Sequence, residues 1–380
     1  MTVRTGPLRV LVAADSFKDA LGAPEVCRAI ALGLRRSQPL ATITEFPLGD
    51  GGEGTFEILS HHLNLHNVEV DALDPLLRPL RAPYGLSADG HTAFIEMAQT
   101  AGLQLLAPPE RNPLVTSTFG TGLQLADACR RGVSRAVLAI GGSATNDAGI
   151  GMAAALGWRF VDTRGENLSP VGGNLGRIAH VIAPASGARL PELDVICDVN
   201  NPLFGPQGAA YVYGPQKGAD APMVERLDAG LRHIAARVAE DLGRSDLAEQ
   251  PGAGAAGGLG FGAMSFLDAR LRRGIDLIMD LTEFDAALAR SDVVITGEGH
   301  LDGQTLHGKL IHGICTRARR HNIPVIALCG RISATPEEIR AIGLHAAHGI
   351  NEGEVPLATA LIRTAENLER VAAQLALPGV

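Results

Sequence analysis

Short apolar runs alternate with amphipathic stretches along much of this chain. Arg9–Ala14 (RVLVAA) is a continuous apolar run, the pattern of a strand buried on both faces of a parallel sheet. Pro24 opens a helix to about Arg36, with Val26, Ala29, Ile30 and Gly33 at helical spacing. Thr42–Leu48 predicts a second strand and Gly54–Leu63 a second helix. The same grammar returns near the C-terminus. Asp292–Thr296 predicts a strand, Leu306–Arg320 a helix and Pro324–Cys329 a strand. A helix from about Pro336, a short strand at His345–Ile350 and a last helix at Pro356–Leu375 follow.

The middle of the chain departs from this grammar. Arg81–Leu86 and His91–Met97 flank Ala88-Asp89-Gly90, a hairpin signal, and a hairpin brings antiparallel pairing. A helix near Gly120–Arg131 and strands at Ala136–Ile140 and Leu193–Asp198 come next. The expectation is an α/β fold of two α/β domains: a Rossmann-like parallel-sheet domain with a second, mixed α/β domain inserted. Residues 1–75 and 288–380 would form the first and 76–287 the second.

Composition narrows the class. Over 380 residues, 46% hydrophobic and 19% charged side chains call for a packed core rather than disorder. A formal charge of −8 argues against a nucleic-acid partner, which needs a basic face. Five cysteines without a CxxC fit a reduced, cytoplasmic protein better than a disulfide scaffold or a zinc site. No apolar run reaches the length of a membrane span or a signal-peptide core, so no membrane partner is expected.

In open α/β sheets ligands bind beyond the carboxyl ends of the strands. Five predicted strands run into polar loops there. The first leads into Asp15-Ser16-Phe17-Lys18, where a helix cap competes with Lys18 as a cation for a carboxylate or phosphate. The second leads into Gly49–Thr55, whose Asp50 and Glu53 suit substrate hydroxyls or a metal held through water. Gly141-Gly142-Ser143-Ala144-Thr145-Asn146-Asp147 precedes a helix and suits a polyphosphate, although it is no Walker A loop. A plain N-cap by Ser143 or Thr145 is the bland reading of it. Asp198, ahead of Asn200, Asn201 and Pro202, is the candidate base or Mg²⁺ ligand, weighed against an Asx-turn. Thr296–Lys309 is the densest stretch, with Glu298, Asp302, Gln304, Thr305 and Lys309 within twelve residues. Lys217, on a Gly-Pro-Gln-Lys-Gly turn, would by itself be an ordinary surface lysine. Gly252–Gly262 lacks the strand context of a dinucleotide loop and suits a hinge or a close backbone approach.

Taken in order, these blocks resemble the type-1 glycerate kinase family over nearly the whole chain. The family's DSFK matches Asp15–Lys18, and its ADGGEGT matches Gly49–Thr55 with Gly49 for alanine. Its GGSATNDGG matches Gly141–Gly149 with Ala148 for a glycine. Its CDVxNPLxGPxGA, FGPQKGA and TGEGxxDxQTxxGK match Cys197–Ala209, Tyr213–Ala219 and Thr296–Lys309. After Lys309 the chain reads Leu310-Ile311-His312-Gly313-Ile314, where the family has a proline-containing segment.

The resemblance implies ATP as donor, Mg²⁺ as helper and D-glycerate as acceptor, with 2-phosphoglycerate the usual bacterial product. Asp198, Asp15 and Lys18 are then expected to act in catalysis, with Asp198 also the metal ligand. Ser16, Asp50, Glu53, Glu298, Asp302, Gln304, Thr305 and Lys309 would bind substrate. Gly141, Gly142, Ser143, Ala144, Thr145, Asn146 and Lys217 would hold ATP. Formation of 3-phosphoglycerate, and action on a related hydroxy acid, stay open, as does a homodimer. Two readings of other classes are a hydroxy-acid dehydrogenase, which lacks GxGxxG after the first strand, and a non-catalytic hydroxy-acid sensor.

Overall fold

A computed structural model describes residues 6–49, 51, 54–185, 190–302, 310–353 and 355–378. The strands, in chain order, are β1 (Arg9–Val12), β2 (Thr42–Glu45), β3 (His66–Leu73), β4 (Pro79–Leu86), β5 (Thr92–Glu96), β6 (Arg135–Ala139), β7 (Arg159–Val161), β8 (His180–Ile182), β9 (Glu192–Ile196), β10 (Arg270–Arg272), β11 (Val293–Leu301), β12 (Val325–Ile332) and β13 (Ala346–Gly349). They are shared between two compact units, Met1–His62 with Gly274–Val380, and Leu63–Arg273.

The first unit is built on a sheet ordered β13-β12-β11-β1-β2, parallel throughout. Val10, Val12, Val293, Ile295, Ile326 and Leu328 share one buried cluster with Val26, Ile30 and Leu34 of the helix Ala23–Ser37. That helix runs beside the terminal helix Thr364–Ala372 at close quarters. A Cβ added at Gly33 would lie 2.1 Å from the Glu369 carbonyl oxygen and 2.8 Å from the Ala372 Cβ. Only glycine lets the two backbones approach that far.

The second unit holds a six-stranded sheet ordered β10-β9-β6-β5-β4-β3. Its β5, β6, β9 and β10 run parallel, while β3, β4 and β5 form an antiparallel meander. The expected hairpin is there: Asp89 accepts from Ser87 Oγ at 2.5 Å and from the His91 amide at 2.9 Å, closing the turn. A parallel-sheet domain with a mixed α/β domain inserted is therefore the fold class.

The seams fall at 62/63 and 273/274, rather than at the expected 75/76 and 287/288. Two interactions account for this. β3 pairs with β4 along its whole length, from His66 opposite Leu86 to Leu73 opposite Pro79, so it joins the second sheet. At the other seam, Arg317 of the helix Leu310–Arg320 donates to Asp280 at 2.6 Å and Asp285 at 2.8 Å. Its guanidinium is also 3.1 Å from the Asp276 carbonyl, and its side chain is only 10% exposed. A charge so desolvated is held by its partners, and it ties Gly274–Leu281 and Phe284–Leu288 to the first unit.

β11 also runs further than its sequence suggests. It was expected to end at Thr296, but its ladder with β12 continues to Leu301 opposite Ile332. Glycines at 297 and 299 mask the strand in sequence, since glycine has low strand propensity.

Gly33→Val is expected to lower stability by about 3 kcal/mol, the upper end for overpacking. A denaturant midpoint equal to wild type would show that the 23–37 and 364–372 helices do not depend on this contact.

Candidate active site

The second unit's parallel strands finish in register. Glu96 lies opposite Ala139, Ala139 opposite Ile196, and Ile196 opposite Arg272. The chain therefore leaves β6 into Gly141 and leaves β9 into Asp198 on the same edge of the sheet, from neighbouring strands. Asp198 is exposed there.

Gly141 and Gly142 are exposed, and nothing lies within 4 Å of a Cβ built at Gly141. Beyond them the loop turns inward. Ser143 is 8% exposed, and Thr145, Asn146 and Asp147 are 0% exposed. The Ala144 amide donates to the Ala101 carbonyl at 2.8 Å, and Thr116 Oγ1 donates to the Ala144 carbonyl at 3.0 Å. Asp147 Oδ2 accepts from the Thr118 amide and hydroxyl, both at 2.8 Å, and from the Gly151 amide at 3.2 Å. Its Oδ1 accepts from the Gly149 amide at 3.2 Å. Burial pushes the Asp147 carboxyl above the ordinary range, and these donors pull it back.

Neither Ser143 nor Thr145 is a helix cap. The following helix, Ile150–Ala155, starts behind a left-handed Gly149 with no side-chain cap. The N-cap alternative for this loop is thereby removed. The cap reading of Asp15 and Ser16 goes the same way, since the first helix begins at Ala23 behind Gly22.

From below, the loop is met by the glycine-rich segment at 252–262. Its helix, Ala255–Leu267, contains left-handed Ala256, Gly257 and Gly258. A Cβ at Gly257 would lie 1.9 Å from the Thr145 carbonyl oxygen and 2.6 Å from the Asn146 Cα. The segment is a close-approach element, and its glycines serve packing rather than a dinucleotide.

Lys217 sits on the short turn Pro215–Lys217 and is 2% exposed. The bland expectation of a surface lysine is overturned. Its Nζ donates to Ser143 Oγ and to the Thr145 carbonyl, each at 2.7 Å. Desolvation pulls the ammonium down to about 7 from an ordinary 10.5, with Asp147 acting in the opposite sense. Beside it, Thr145 Oγ1 and both amide atoms of Asn146 are buried without a protein partner.

In the first unit, the Asp15 amide donates to the Gly297 carbonyl at 3.1 Å, so Asp15 extends the β1–β11 ladder beyond the strand. Asp15 Oδ1 accepts from the Ser16 amide at 2.7 Å and lies 3.3 Å from Ser16 Oγ. A tight turn follows, with Phe17 and Leu21 bridged through paired backbone bonds of 2.9 and 3.0 Å. It presents Lys18 in solvent. Gly49 comes beside Asp15; a Cβ there would be 3.9 Å from Asp15 Oδ1. Glu298 is 8% exposed and sits within β11, opposite Cys329, not on a loop. Asp302 is half-buried with its Oδ2 3.8 Å from His300 Nδ1, and His300 Nε2 lies 2.7 Å from Ser333 Oγ. Asp50, Glu53, Gln304, Thr305 and Lys309 lie outside the described residues.

Among the described residues no group of three or more His, Cys, Asp or Glu side chains could hold a metal ion, and no helix is long and apolar enough to cross a membrane. The five cysteines are unpaired. Sequence reading did not single out Thr116 and Thr118, although a Thr-Ser-Thr run ahead of a glycine-containing helix is a usable signal of buried hydroxyls. Asp147 was passed over inside its own motif.

Comparison with known proteins says which family shares this fold of two α/β units. The glycerate kinase family model matches residues 10–377. The chain is 42% identical to a glycerate kinase of Bacillus subtilis strain 168 over 371 residues, 97% of each chain. It is 38% identical to the glycerate 2-kinase of Escherichia coli K12, covering 90% of this chain and 89% of that one. A crystal structure from Salmonella typhimurium LT2, provisionally named glycerate kinase 2, superposes with a TM-score of 0.86 at 40% identity and covers 97% of both chains. The chain belongs to the glycerate kinase family.

Lys217 makes stability depend on pH in a defined sense. Its folded value, about 7, lies below its ordinary 10.5, so between the two the unfolded chain binds more protons. Stability therefore rises with pH across that window. The melting temperature of wild type minus that of Lys217→Met should become more positive from about pH 7 to about pH 10. A flat difference would mean that the buried amine titrates normally.

Proposed function

We propose that this kinase transfers the γ-phosphoryl group of ATP to D-glycerate, giving 2-phosphoglycerate and ADP. The full-length family match supports the reaction class, and the relatives named glycerate kinase and glycerate 2-kinase support the acceptor. The observation that carries the reading is the exit of the Gly141–Asn146 loop beside Asp198 from adjacent parallel strands.

Phosphoryl transfer needs positioning and charge neutralisation more than covalent chemistry. In this reading the exposed glycine backbone at 141–142 receives the ATP phosphates, and Ser143, Ala144, Thr145 and Asn146 fix its shape. Mg²⁺ is ordinarily held by one or two carboxylates together with substrate phosphates. The exposed Asp198 carboxylate fits that habit, and the same group could instead accept the proton of the attacking hydroxyl. When bound, the ion neutralises charge that builds on the phosphate oxygens.

The first unit's strand ends are assigned to glycerate. Lys18, in solvent after β1, pairs with the glycerate carboxylate or the transferring phosphate. Asp15, held against Ser16, is the second candidate for proton transfer. Ser16, Glu298 and Asp302 offer acceptors for the substrate hydroxyls. Asp50, Glu53, Gln304, Thr305 and Lys309 are assigned there by motif alone. The cytoplasm, where ATP is available and thiols stay reduced, is the compartment this reading requires, and the five unpaired cysteines fit it.

The test is ADP release from Mg-ATP on addition of D-glycerate, with the phosphoglycerate isomers resolved. Glycerate-dependent turnover to the 2-phosphate is expected, abolished by EDTA and restored by Mg²⁺. The 3-phosphate would correct the position of transfer; ADP release independent of glycerate would overturn the acceptor. Asp198→Asn should lower kcat by about 10²–10⁴-fold with an unchanged melting temperature. Near wild-type turnover would remove Asp198 from the chemistry.

A further inference from the structure

Of the 33 lysines and arginines in this chain, only Lys18, Lys217 and Lys309 are lysines. Arginine supplies every other strong cation. The two side chains differ in ways that matter when buried. Arginine is a wide planar fork that stays charged, whereas lysine is a compact ammonium with three rotatable donors and a pKa that burial can move. Lys217 occupies the kind of place that only lysine fits. It is among the largest side chains that are fully buried, and its Nζ makes two 2.7 Å bonds to neutral oxygens of one loop.

We propose that Lys217 is a positioning residue: it braces the Gly141–Asn146 loop from beneath, through Ser143 and Thr145, and does not itself touch the phosphates. The inference rests on the reading of that loop as the ATP site. To reach a ligand the ammonium would have to leave both bonds and a site where it is 2% exposed. The neighbouring contacts explain why a brace is needed at this point. The Gly257 backbone fills the space below the Thr145 carbonyl, and Thr116 and Ala101 hold Ala144. Thr118 and the Gly149 and Gly151 amides hold Asp147. Among these contacts, the Ser143 hydroxyl is tied by Lys217, and Ser143 directly follows the exposed Gly141 and Gly142.

The brace also has a charge. An ammonium beneath the loop, shielded from water, acts on an anion above it more strongly than one in solvent would. Asp147 is the charged group that acts on Lys217 within the loop, and Arg111 adjoins its turn: a Cβ at Gly218 would lie 2.2 Å from the Arg111 carbonyl oxygen. Since burial leaves Lys217 near neutral-pH titration, its charge is lost as pH rises above about 7. ATP affinity should weaken over the same range.

Two readouts keep the brace separable from the proposed reaction. Hydrogen–deuterium exchange of residues 141–149 in the ligand-free protein reports on the loop without any turnover. Steady-state kinetics with Mg-ATP and D-glycerate report on its use. Lys217→Met should exchange faster across 141–149 and raise the KM for ATP by about tenfold or more, the scale of a charged hydrogen-bond pair. Its KM for glycerate should stay within about twofold, as expected when one substrate's site is altered. A rise of the ATP KM with pH above about 7 is expected in wild type and should be absent in the variant. Lys217→Arg should not restore the loop, because a guanidinium does not fit the enclosed site. Ser143→Ala removes one of the two bonds without altering the buried amine, and should shift exchange and ATP KM in the same direction by less. It serves where Lys217→Met fails to fold.

Unchanged exchange together with an unchanged ATP KM would overturn the brace. Loss confined to kcat, with exchange as in wild type, would overturn it in favour of direct contact with the transferring group. Absence of any glycerate-dependent turnover in wild type would instead sink the proposed reaction, while the exchange comparison would still decide whether Lys217 holds the loop.

Discussion

The second unit is organised around the approach of two backbones at Gly257 and Thr145. No side chain fits between them; a Cβ there would overlap the Thr145 carbonyl at 1.9 Å. That contact fixes how deep the 143–147 segment lies, and depth has consequences for every polar group on it. Buried polar atoms must be paired or they destabilise the fold. Asp147 collects four donors, Ala144 is held at both its amide and its carbonyl, and Lys217 reaches Ser143 and Thr145. Thr145 Oγ1 and the Asn146 amide are the remainder, and they are the atoms that a bound water would satisfy.

Such a network is costly in stability and valuable for shape. A desolvated ammonium and a desolvated carboxylate are each unfavourable alone, and here Lys217 has two hydrogen bonds and Asp147 four. The return is a single defined shape for the segment that follows the exposed Gly141 and Gly142. Preorganised donors need no rearrangement when charge develops against them. The first unit reaches a comparable result by other means. Its parallel ladder runs past the formal strand ends, carrying Asp15 alongside Gly297 and placing Glu298 inside the sheet.

Much of this was legible in the chain. The apolar runs at Arg9–Ala14, Ala136–Ile140 and Pro324–Cys329 overlap β1, β6 and β12, whose central residues are buried on both faces, where hydrophobic continuity is required by packing. The hairpin turn at Ala88-Asp89-Gly90 is local chemistry and came through unchanged. The unit seams did not, because they depend on partners distant in sequence: β3 on β4, and Arg317 on Asp280 and Asp285. β11 was cut short since its glycines read as loop, whereas a neighbouring strand supplied the pairing that glycine's own propensity does not.

The sequence by itself determined where the polar blocks at the strand ends lie and in what order, because motif spacing and strand-end polarity are local properties. It also determined the family, through several blocks in fixed order over the chain. What only the tertiary structure decided is how each residue is held. Lys217, by its turn alone an ordinary surface lysine, is buried in the fold and bonded to Ser143 and Thr145. Glycine-rich 252–262 is ambiguous by composition and a backbone platform once packed. Burial and hydrogen-bond partners arise from segments far apart in sequence, such as Lys217 with Ser143 and Gly257 with Thr145, and no local pattern encodes them.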